Sequence, residues 1–129
     1  MYKTGILNSE ISKLLSDLGH TDQIIIADCG LPVPEGVKKI DLALEFGKPS
    51  FIEVFNLIKK HMEIEQMTLA EEMITQNTTL YQTLSDENIE IQTTSHEQFK
   101  VQSKTVKAII RTGEAKPFAN VVLTSGVLF

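Results

Sequence analysis

The three histidines are the residues most suited to chemistry, because an imidazole titrates near neutral pH and can give or take a proton. His20 lies on the short connection between a predicted helix and a buried strand. His96 follows Ser95, whose spacing to Gln98 is typical of a helix start. His61 lies among lysines at a helix end, where it is expected to be solvated. His20 and His96 are therefore the candidates for proton transfer or for hydrogen bonding to a ligand.

Both histidines also have a purely structural explanation. Because it follows Gly19, His20 suits a helix-capping position, and His96 suits a surface position in the first turn of its helix. Lys100 lies one turn beyond His96 on the same helix face, where it can supply a cation or a hydrogen-bond donor. His96 and Lys100 would face a ligand if they lie at the carboxyl end of a strand, where open α/β sheets bind their ligands. Spacing alone leaves both interpretations open.

Two further polar residues adjoin predicted strands. Asp28 ends the apolar run Ile24–Ala27, where it either caps a turn by accepting from the next amides, orients His20, or binds a ligand hydroxyl. Asn120 lies in the loop before the last strand, and its amide both donates and accepts hydrogen bonds, as binding to a polyol requires. An ordinary connection between strands is the alternative for this loop.

The elements that must position these residues follow from hydrophobic spacing. Helices are predicted where apolar residues recur every three or four positions, and strands where they alternate or form β-branched runs. The stretch 62–84 is ambiguous and is interpreted as a strand followed by one or two helices. The other predicted elements are a helix over 11–18 stopped by Gly19, strands over 24–27 and 39–44, a helix from 51 capped by Ser50, a strand over 89–93, a helix opened by Ser95, and strands over 106–111 and 121–124.

This order of elements predicts an α/β fold, a three-layer α/β/α single domain over residues 1–129 with a mixed, mostly parallel sheet. The length suits one domain with one sizeable core. The chain ends in Gly126–Phe129 without a polar tail, which indicates that this end pairs in a sheet or is buried against another subunit.

Composition excludes several classes of function. The 12 Lys and Arg against 17 Asp and Glu give a formal net charge of -5, which lacks the basic excess needed for nucleic acid or an anionic membrane. The single Cys29 excludes an intrachain disulfide and multi-cysteine metal sites, and it suits the reducing cytoplasm. We find neither a signal-peptide pattern nor an apolar run that could span a membrane. The chain also lacks the HExxH, Walker, GxGxxG and GxSxG motifs.

Several short blocks follow one another along the chain: Gly5–Ser9, Leu18–Asp22, Ala27–Pro34, Ile109–Glu114 and Pro117–Asn120. In this order they resemble the D-ribose pyranase family, whose relatives include fucose mutarotase. The resemblance continues to Gly126–Phe129 and so covers the whole domain. The fucose branch tends to carry glycine after its active-site histidine, whereas this chain has Thr21, as in the ribose branch.

The resemblance implies a cytoplasmic enzyme that interconverts ring forms of D-ribose, chiefly β-pyranose and β-furanose, so that furanose can reach a kinase. It implies no cofactor and no metal. Members of the family form rings, typically decamers of two stacked pentamers, with the sugar site between neighbouring subunits. The catalytic histidine of the family falls on His20, and its sugar-binding positions fall on Asp28, His96, Lys100, Phe118, Ala119 and Asn120. Phe118 replaces a tyrosine frequent in the family, so its hydroxyl is missing here.

These residue types suit the implied reaction. Opening a cyclic hemiacetal removes the proton of the anomeric hydroxyl and protonates the ring oxygen. We therefore expect His20 to be the general acid at the ring oxygen, with Asp28 fixing the imidazole or a sugar hydroxyl. The remaining hydroxyls would be held by His96, Lys100 and Asn120. The alternatives are a sugar-binding module without catalysis, a mutarotase for fucose or another hexose, and a structural assembly protein.

Overall fold

The computed structural model describes all 129 residues, and every predicted helix and strand is present with shifted boundaries. The ambiguous stretch 62–84 is one strand followed by two helices. In chain order the elements are α1 (Ser9–Asp17), β1 (Gln23–Ala27), β2 (Lys38–Asp41), α2 (Phe51–His61), β3 (Ile64–Ala70), α3 (Glu72–Gln76), α4 (Thr78–Ser85), β4 (Glu90–Thr94), α5 (His96–Gln102), a 3₁₀ turn (Ser103–Thr105), β5 (Ala108–Arg111) and β6 (Val121–Ser125).

The strands form one sheet in the order β2-β5-β1-β6-β3-β4. β6 is antiparallel to its neighbours β1 and β3, and the other pairings are parallel. All strands except β6 therefore run in one direction and end at the same edge of the sheet, which we call the carboxyl edge. The opposite edge is called the amino edge. This topology confirms the predicted mixed, mostly parallel sheet.

Alternate side chains of β1 fill two cores, one on each face of the sheet. Ile24 and Ile26 belong to the larger core, and Ile25 and Ala27 to the smaller one. The smaller core is covered by α5 through Phe99. The larger core is packed by helices α1 to α4 through residues that include Ile11, Phe51, Phe55, Met73 and Leu84. The sheet thus lies between two helical layers, which confirms the predicted three-layer arrangement.

The first helix stops before the predicted Gly19. Its N-cap is Asn8, whose Oδ1 accepts a hydrogen bond of 3.0 Å from the Ile11 amide. Leu18 is already extended, and the residue with left-handed backbone is Thr21, at φ 72°. β-branched residues rarely adopt this conformation, so the loop that carries His20 is held in place by its surroundings. The Thr21 amide donates to the Ser125 carbonyl at 2.9 Å, which anchors the loop to β6.

The second strand is shorter than the predicted 39–44. The Asp41 carboxylate accepts from the Ala43 amide at 3.0 Å, and the chain then leaves the sheet in a tight turn bridged by Glu45 and Lys48. This turn exposes Leu44 and Phe46, at 84% and 88% of their full accessible surface. We call these two residues the apolar loop tip.

The C-terminal segment is paired as far as Gly126, whose amide donates to the Glu63 carbonyl at 2.8 Å. Leu128 and Phe129 lie beyond the sheet and are exposed. The predicted pairing of this segment in the sheet is therefore met only at Gly126, and its burial against another subunit stays a prediction. None of the helices combines the length and the hydropathy needed to cross a membrane.

Arg111 connects three segments at the carboxyl edge. Its Nη1 donates to both carboxylate oxygens of Asp41 at 3.1 Å, and its Nε donates to the Cys29 carbonyl at 3.1 Å. Burial disfavours the charged form of Asp41, but the hydrogen bonds from Ala43 and Arg111, with the charge of Lys39, outweigh this and lower the pKa of Asp41. The end of β1 is thereby tied to β2 and β5.

We expect Asp41→Asn to destabilise the protein at pH 7 and to have less effect in acid. A lowered carboxyl pKa stabilises the fold above the unfolded value of about 3.9, and this contribution is lost as the pH falls through the folded pKa. Because the side chain is 44% exposed, the effect should be about 0.2 to 1 kcal/mol, as for an exposed pair. Thermal unfolding between pH 7 and pH 3 measures it, with Glu35→Gln as the exposed control. A stability difference independent of pH would contradict this prediction.

Candidate functional site

The predicted site residues lie at opposite edges of the sheet. His20 precedes β1 and lies at the amino edge, whereas Asp28 follows β1 and lies at the carboxyl edge. A five-residue strand such as β1 spans about 17 Å. Within one chain the structure therefore does not bring Asp28 to the imidazole of His20, and the expectation that Asp28 fixes this ring is not met there.

The carboxyl edge carries an open cleft of about 270 Å³, which we call the carboxyl-edge cleft. Its walls are Asp28, Gly30, Leu31, Pro32, His96, Pro117 and Phe118. The volume is just below the range of about 300 to 1,000 Å³ usual for ligand pockets, as suits a small ligand. Larger grooves beside α1 and beside the apolar loop tip contain none of the predicted site residues.

Asp28 is held in a fixed orientation inside this cleft. Its Oδ1 accepts from the Gly30 amide at 2.9 Å, which is one of the two bonds of the predicted turn cap, whereas the Cys29 amide donates to the Glu114 carbonyl at 2.8 Å. Its Oδ2 accepts from Asn120 Nδ2 at 3.0 Å, and Asn120 Oδ1 accepts from the Asp28 amide at 2.8 Å. Asn120 has no exposed surface and lies beneath the cleft, so its main contact is with Asp28. Each carboxylate oxygen of Asp28 retains a free lone pair for a ligand.

We expect Asn120→Ala to lower the free energy of unfolding by about 1 to 3 kcal/mol, because the Asp28 amide and one carboxylate oxygen lose their buried partner. The urea midpoint measures this change. The control is Asn56→Ala, an exposed asparagine of α2 whose side chain makes no hydrogen bond within the chain. Equal midpoints for the two variants would show that the Asn120 amide does not hold Asp28.

His96 is the first residue of α5, as predicted, and it lines the cleft. Its backbone amide donates to both carboxylate oxygens of Glu72, at 3.0 and 3.1 Å. The imidazole lies 6.4 Å from the Phe99 ring and 5.0 Å, edge to face, from the Phe118 ring. His96 Nδ1 is buried and has no hydrogen-bond partner in the chain. A buried polar atom without a partner is unfavourable, so a ligand that supplies a hydrogen bond here gains affinity.

The loop before β6 carries backbone strain beside the cleft. Phe118 adopts a left-handed conformation with φ 55°, which is rare for an aromatic residue. Strain of this kind is retained mainly at functional sites, where it fixes a side chain. The loop is anchored by Asn77, whose Nδ2 donates to the Pro117 carbonyl at 2.9 Å. Ala119 is fully buried behind Phe118 and does not line the cleft.

Lys100 lies on α5 one turn after His96 but is not among the walls of the cleft. Its Nζ pairs with Glu97 Oε1 at 2.9 Å. The hydrogen bond and the charge of Lys100 lower the pKa of the exposed Glu97 carboxyl. The predicted contact of Lys100 with a ligand therefore requires its side chain to exchange partners.

His20 lies at the amino edge, apart from the other predicted site residues. Its Nε2 lies 3.0 Å from Glu65 Oε2, and both side chains are about half exposed, at 51% and 42%. Glu65 is the second residue of β3 and reaches His20 across the end of β6, which separates β1 from β3 in the sheet. No other predicted site residue forms a hydrogen bond or an ion pair with His20 or Glu65.

Two carboxylates that contact the predicted histidines were missed by the sequence analysis. Glu65 is 45 positions from His20, and only the β1-β6-β3 strand order brings them together. Glu72 follows β3, the strand that pairs with the β4 strand preceding His96. A parallel pairing of these strands would have suggested Glu72, because both then end at the carboxyl edge. Nothing in the local sequence indicates Glu65.

Comparison with known proteins gives the family. The model of the RbsD / FucU transport protein family matches residues 1–128. The chain is 71% identical to a D-ribose pyranase of Staphylococcus saprophyticus and 56% identical to one of Bacillus cereus, with 100% of both chains covered in each pair. Its fold is similar to that of Bacillus subtilis RbsD complexed with D-ribose, with a TM-score of 0.97 and 48% identity over 100% of both chains. The resemblance found in the sequence is thus confirmed, and the chain belongs to the RbsD / FucU family.

Proposed function

We propose that this protein is a D-ribose pyranase, which interconverts the pyranose and furanose forms of D-ribose by opening and closing the sugar ring. The relatives that carry this name are similar over their full length, and the Bacillus subtilis protein of the same fold was solved with D-ribose. The observation that carries the proposal is the carboxyl-edge cleft, where an oriented carboxylate lies with an imidazole whose Nδ1 has no partner.

The cleft offers the contacts that a small polyol needs. Asp28 accepts hydrogen bonds from sugar hydroxyls through its free lone pairs. His96 Nδ1 can complete its hydrogen bonding with another hydroxyl. The ring of Phe118 packs against the apolar C–H face of the sugar, without the hydrogen bond that a tyrosine would add. Ala119 and Asn120 support this arrangement from beneath, and Lys100 binds the sugar after leaving Glu97.

The reaction needs two proton transfers in each direction. In ring opening, the bond between the anomeric carbon and the ring oxygen breaks, the ring oxygen gains a proton, and the anomeric hydroxyl loses one to become the aldehyde oxygen. His20 supplies the proton to the ring oxygen, and the carboxylate of Asp28 is the acceptor that the cleft offers to the anomeric hydroxyl. Closure through a different hydroxyl reverses both transfers and gives the other ring size.

The site is completed by a neighbouring copy of the chain. His20 and the carboxyl-edge cleft lie at opposite edges of one sheet, so a second chain must bring its His20 to the cleft of the first. The exposed Leu44 and Phe46 of the apolar loop tip, with Leu128 and Phe129, supply apolar surface for such contacts. A contact between two different surfaces repeats around a ring, and we propose the decamer of two pentameric rings that the resemblance implies.

We place this activity in the cytoplasm, where it would supply furanose for phosphorylation. The free thiol of the half-buried Cys29 is compatible with a reducing compartment.

Side-by-side measurement of ring exchange in D-ribose and L-fucose tests the choice of substrate. Proton NMR saturation transfer between anomeric signals gives the exchange rate of each sugar with and without protein. We expect the protein to accelerate ribose exchange and to have a smaller effect on fucose. Faster exchange for fucose than for ribose would identify the fucose mutarotase alternative, and binding of ribose without acceleration would identify a sugar-binding module.

A further inference from the structure

We propose that Glu65 is the positioning residue of His20, and that Nδ1 is the nitrogen through which His20 exchanges protons with the sugar. This inference rests on the proposed function, since it specifies how its general acid is held. Neither the sequence patterns nor the resemblance points to Glu65, and the contact is visible only in the structure.

The hydrogen bond between the two side chains determines which nitrogen of the neutral imidazole carries the hydrogen. His20 Nε2 lies 3.0 Å from Glu65 Oε2. An ionised carboxylate can only accept hydrogen bonds, so Nε2 must carry the hydrogen. Nδ1 makes no hydrogen bond within the chain. In the neutral ring Nδ1 is therefore the basic nitrogen, and in the protonated ring its N–H is the one free to donate.

Glu65 is directed to His20 by an irregularity in β3. Ile64 pairs with Ser125 and Gln66 pairs with Thr124. The pairing therefore advances by two residues along β3 but by only one residue along β6, so Glu65 is the extra residue of a β-bulge. Bulges redirect a side chain and are frequent next to active sites. A regular strand would alternate its side chains across the two faces without this change of direction.

Gly126 leaves the room that this arrangement needs. A Cβ atom at position 126 would lie 3.2 Å from Glu65 Cβ, closer than ordinary van der Waals contact. On the other side, the loop of His20 is fixed by the bond from the Thr21 amide to Ser125. The end of β6 thus aligns both partners, because residues 125 and 126 contact the His20 loop on one side and β3 on the other.

The consequence for the reaction is an ordered proton path. Protonated His20 gives its Nδ1 hydrogen to the ring oxygen as the bond to the anomeric carbon breaks. The neutral ring that remains keeps its hydrogen on Nε2, bonded to Glu65, and recovers the Nδ1 proton from the hydroxyl that closes the new ring. A carboxylate that holds one imidazole nitrogen in this way fixes the ring orientation and favours one tautomer.

Kinetics of three variants test the role of Glu65. Removing the carboxylate that orients a catalytic imidazole lowers kcat by about 10⁴-fold in a buried triad, so we expect a smaller loss, of about 10- to 100-fold, for Glu65→Ala at this half-exposed site. KM for ribose should change little, because the sugar contacts lie in the cleft. Glu65→Gln keeps an acceptor oxygen and should retain more activity than Glu65→Ala. The control is Glu63→Gln, which removes a nearby exposed charge that makes no ion pair and should leave kcat unchanged.

Combination with His20→Ala separates positioning from general damage. In the His20→Ala background, Glu65→Ala should lower the rate no further, since it acts only through His20. An additional loss in the double variant would overturn the inference, as would an unchanged kcat for Glu65→Ala alone.

The ¹⁵N and ¹H signals of the His20 imidazole give a test that does not depend on activity. We expect the Nε2–H tautomer in the neutral wild-type ring and a mixture of tautomers in Glu65→Ala. In Gly126→Ala the tautomer equilibrium should shift in the same direction as in Glu65→Ala. A dominant Nδ1–H tautomer in the wild type would overturn the inference. If the wild type shows the expected tautomer but accelerates no sugar exchange, the proposed function fails while the His20–Glu65 pairing stands.

Discussion

His20→Ala is expected to lower the protein-catalysed exchange between ribopyranose and ribofuranose by about 10²- to 10⁴-fold, the usual contribution of one positioned acid-base group. The reason is that His20 is the imidazole held by Glu65 at the amino edge and the proposed donor to the ring oxygen. Ribose binding should persist, because the carboxyl-edge cleft is untouched by this substitution. Saturation-transfer NMR measures exchange, and a ribose titration followed by amide signals of the cleft measures binding.

His61→Ala is the matched control for this variant. His61 is an exposed histidine in the last turn of α2, three residues before β3, and its side chain makes no hydrogen bond or ion pair within the chain, so its replacement should leave the exchange rate unchanged. Exchange at the wild-type rate in His20→Ala would contradict the assignment of the general acid. Loss of binding together with loss of exchange would instead indicate that His20 holds the sugar.

Mixed assemblies of two inactive variants are expected to regain activity. A His20→Ala subunit still offers an intact carboxyl-edge cleft, and an Asp28→Ala subunit still offers an intact His20. If each site joins the His20 of one copy to the cleft of the next, random mixing of equal amounts restores roughly a quarter of the sites. The two variants are unfolded together in denaturant, refolded as a mixture, and assayed for ribose exchange against each variant refolded alone.

The size of the assembly is the control for this experiment, because both variants and their mixture must sediment like the wild type. A mixture that assembles normally and stays inactive would show that the site is not shared between copies. In that case the opposite placement of His20 and Asp28 in one chain would rule out their acting on the same sugar.

The framework of the fold is predictable from sequence because it depends on local patterns. The continuous apolar run Ile24–Ala27 identifies a strand buried on both faces, and the structure has it between β5 and β6 with both cores against it. Ser95 before His96 predicts the start of α5, where the Gln98 amide donates to Ser95 Oγ at 3.1 Å. Caps and buried strands are determined by residues close in sequence, so they can be inferred without the fold.

The arrangement of the site depends on contacts that local patterns do not encode. Sequence analysis predicts that His20 and Asp28 flank one strand. Their placement at opposite edges of the sheet follows only from the length and direction of β1. The role of Asn120 as the partner of Asp28 follows from the pairing of β6 with β1. The bulge at Glu65 has no sequence signature here, since it depends on how β6 meets β3.

The left-handed backbone at two residues could not be predicted either. Thr21 and Phe118 have side chains that disfavour positive φ, and a prediction from residue type would give this conformation to Gly19 instead. Both residues adjoin proposed site residues or line the cleft. Their conformations are enforced by tertiary contacts, such as the bond from the Thr21 amide to Ser125 and that from Asn77 to Pro117.

The central claim is that the protein accelerates the exchange of ribose between its ring forms, and one measurement tests it directly. In an equilibrium solution of D-ribose, the anomeric proton signal of β-ribopyranose is saturated and the loss of β-ribofuranose signal is followed at increasing protein concentration. We predict a transfer rate that rises in proportion to the protein and exceeds the rate without protein. A rate that stays at the protein-free value would contradict the proposed function.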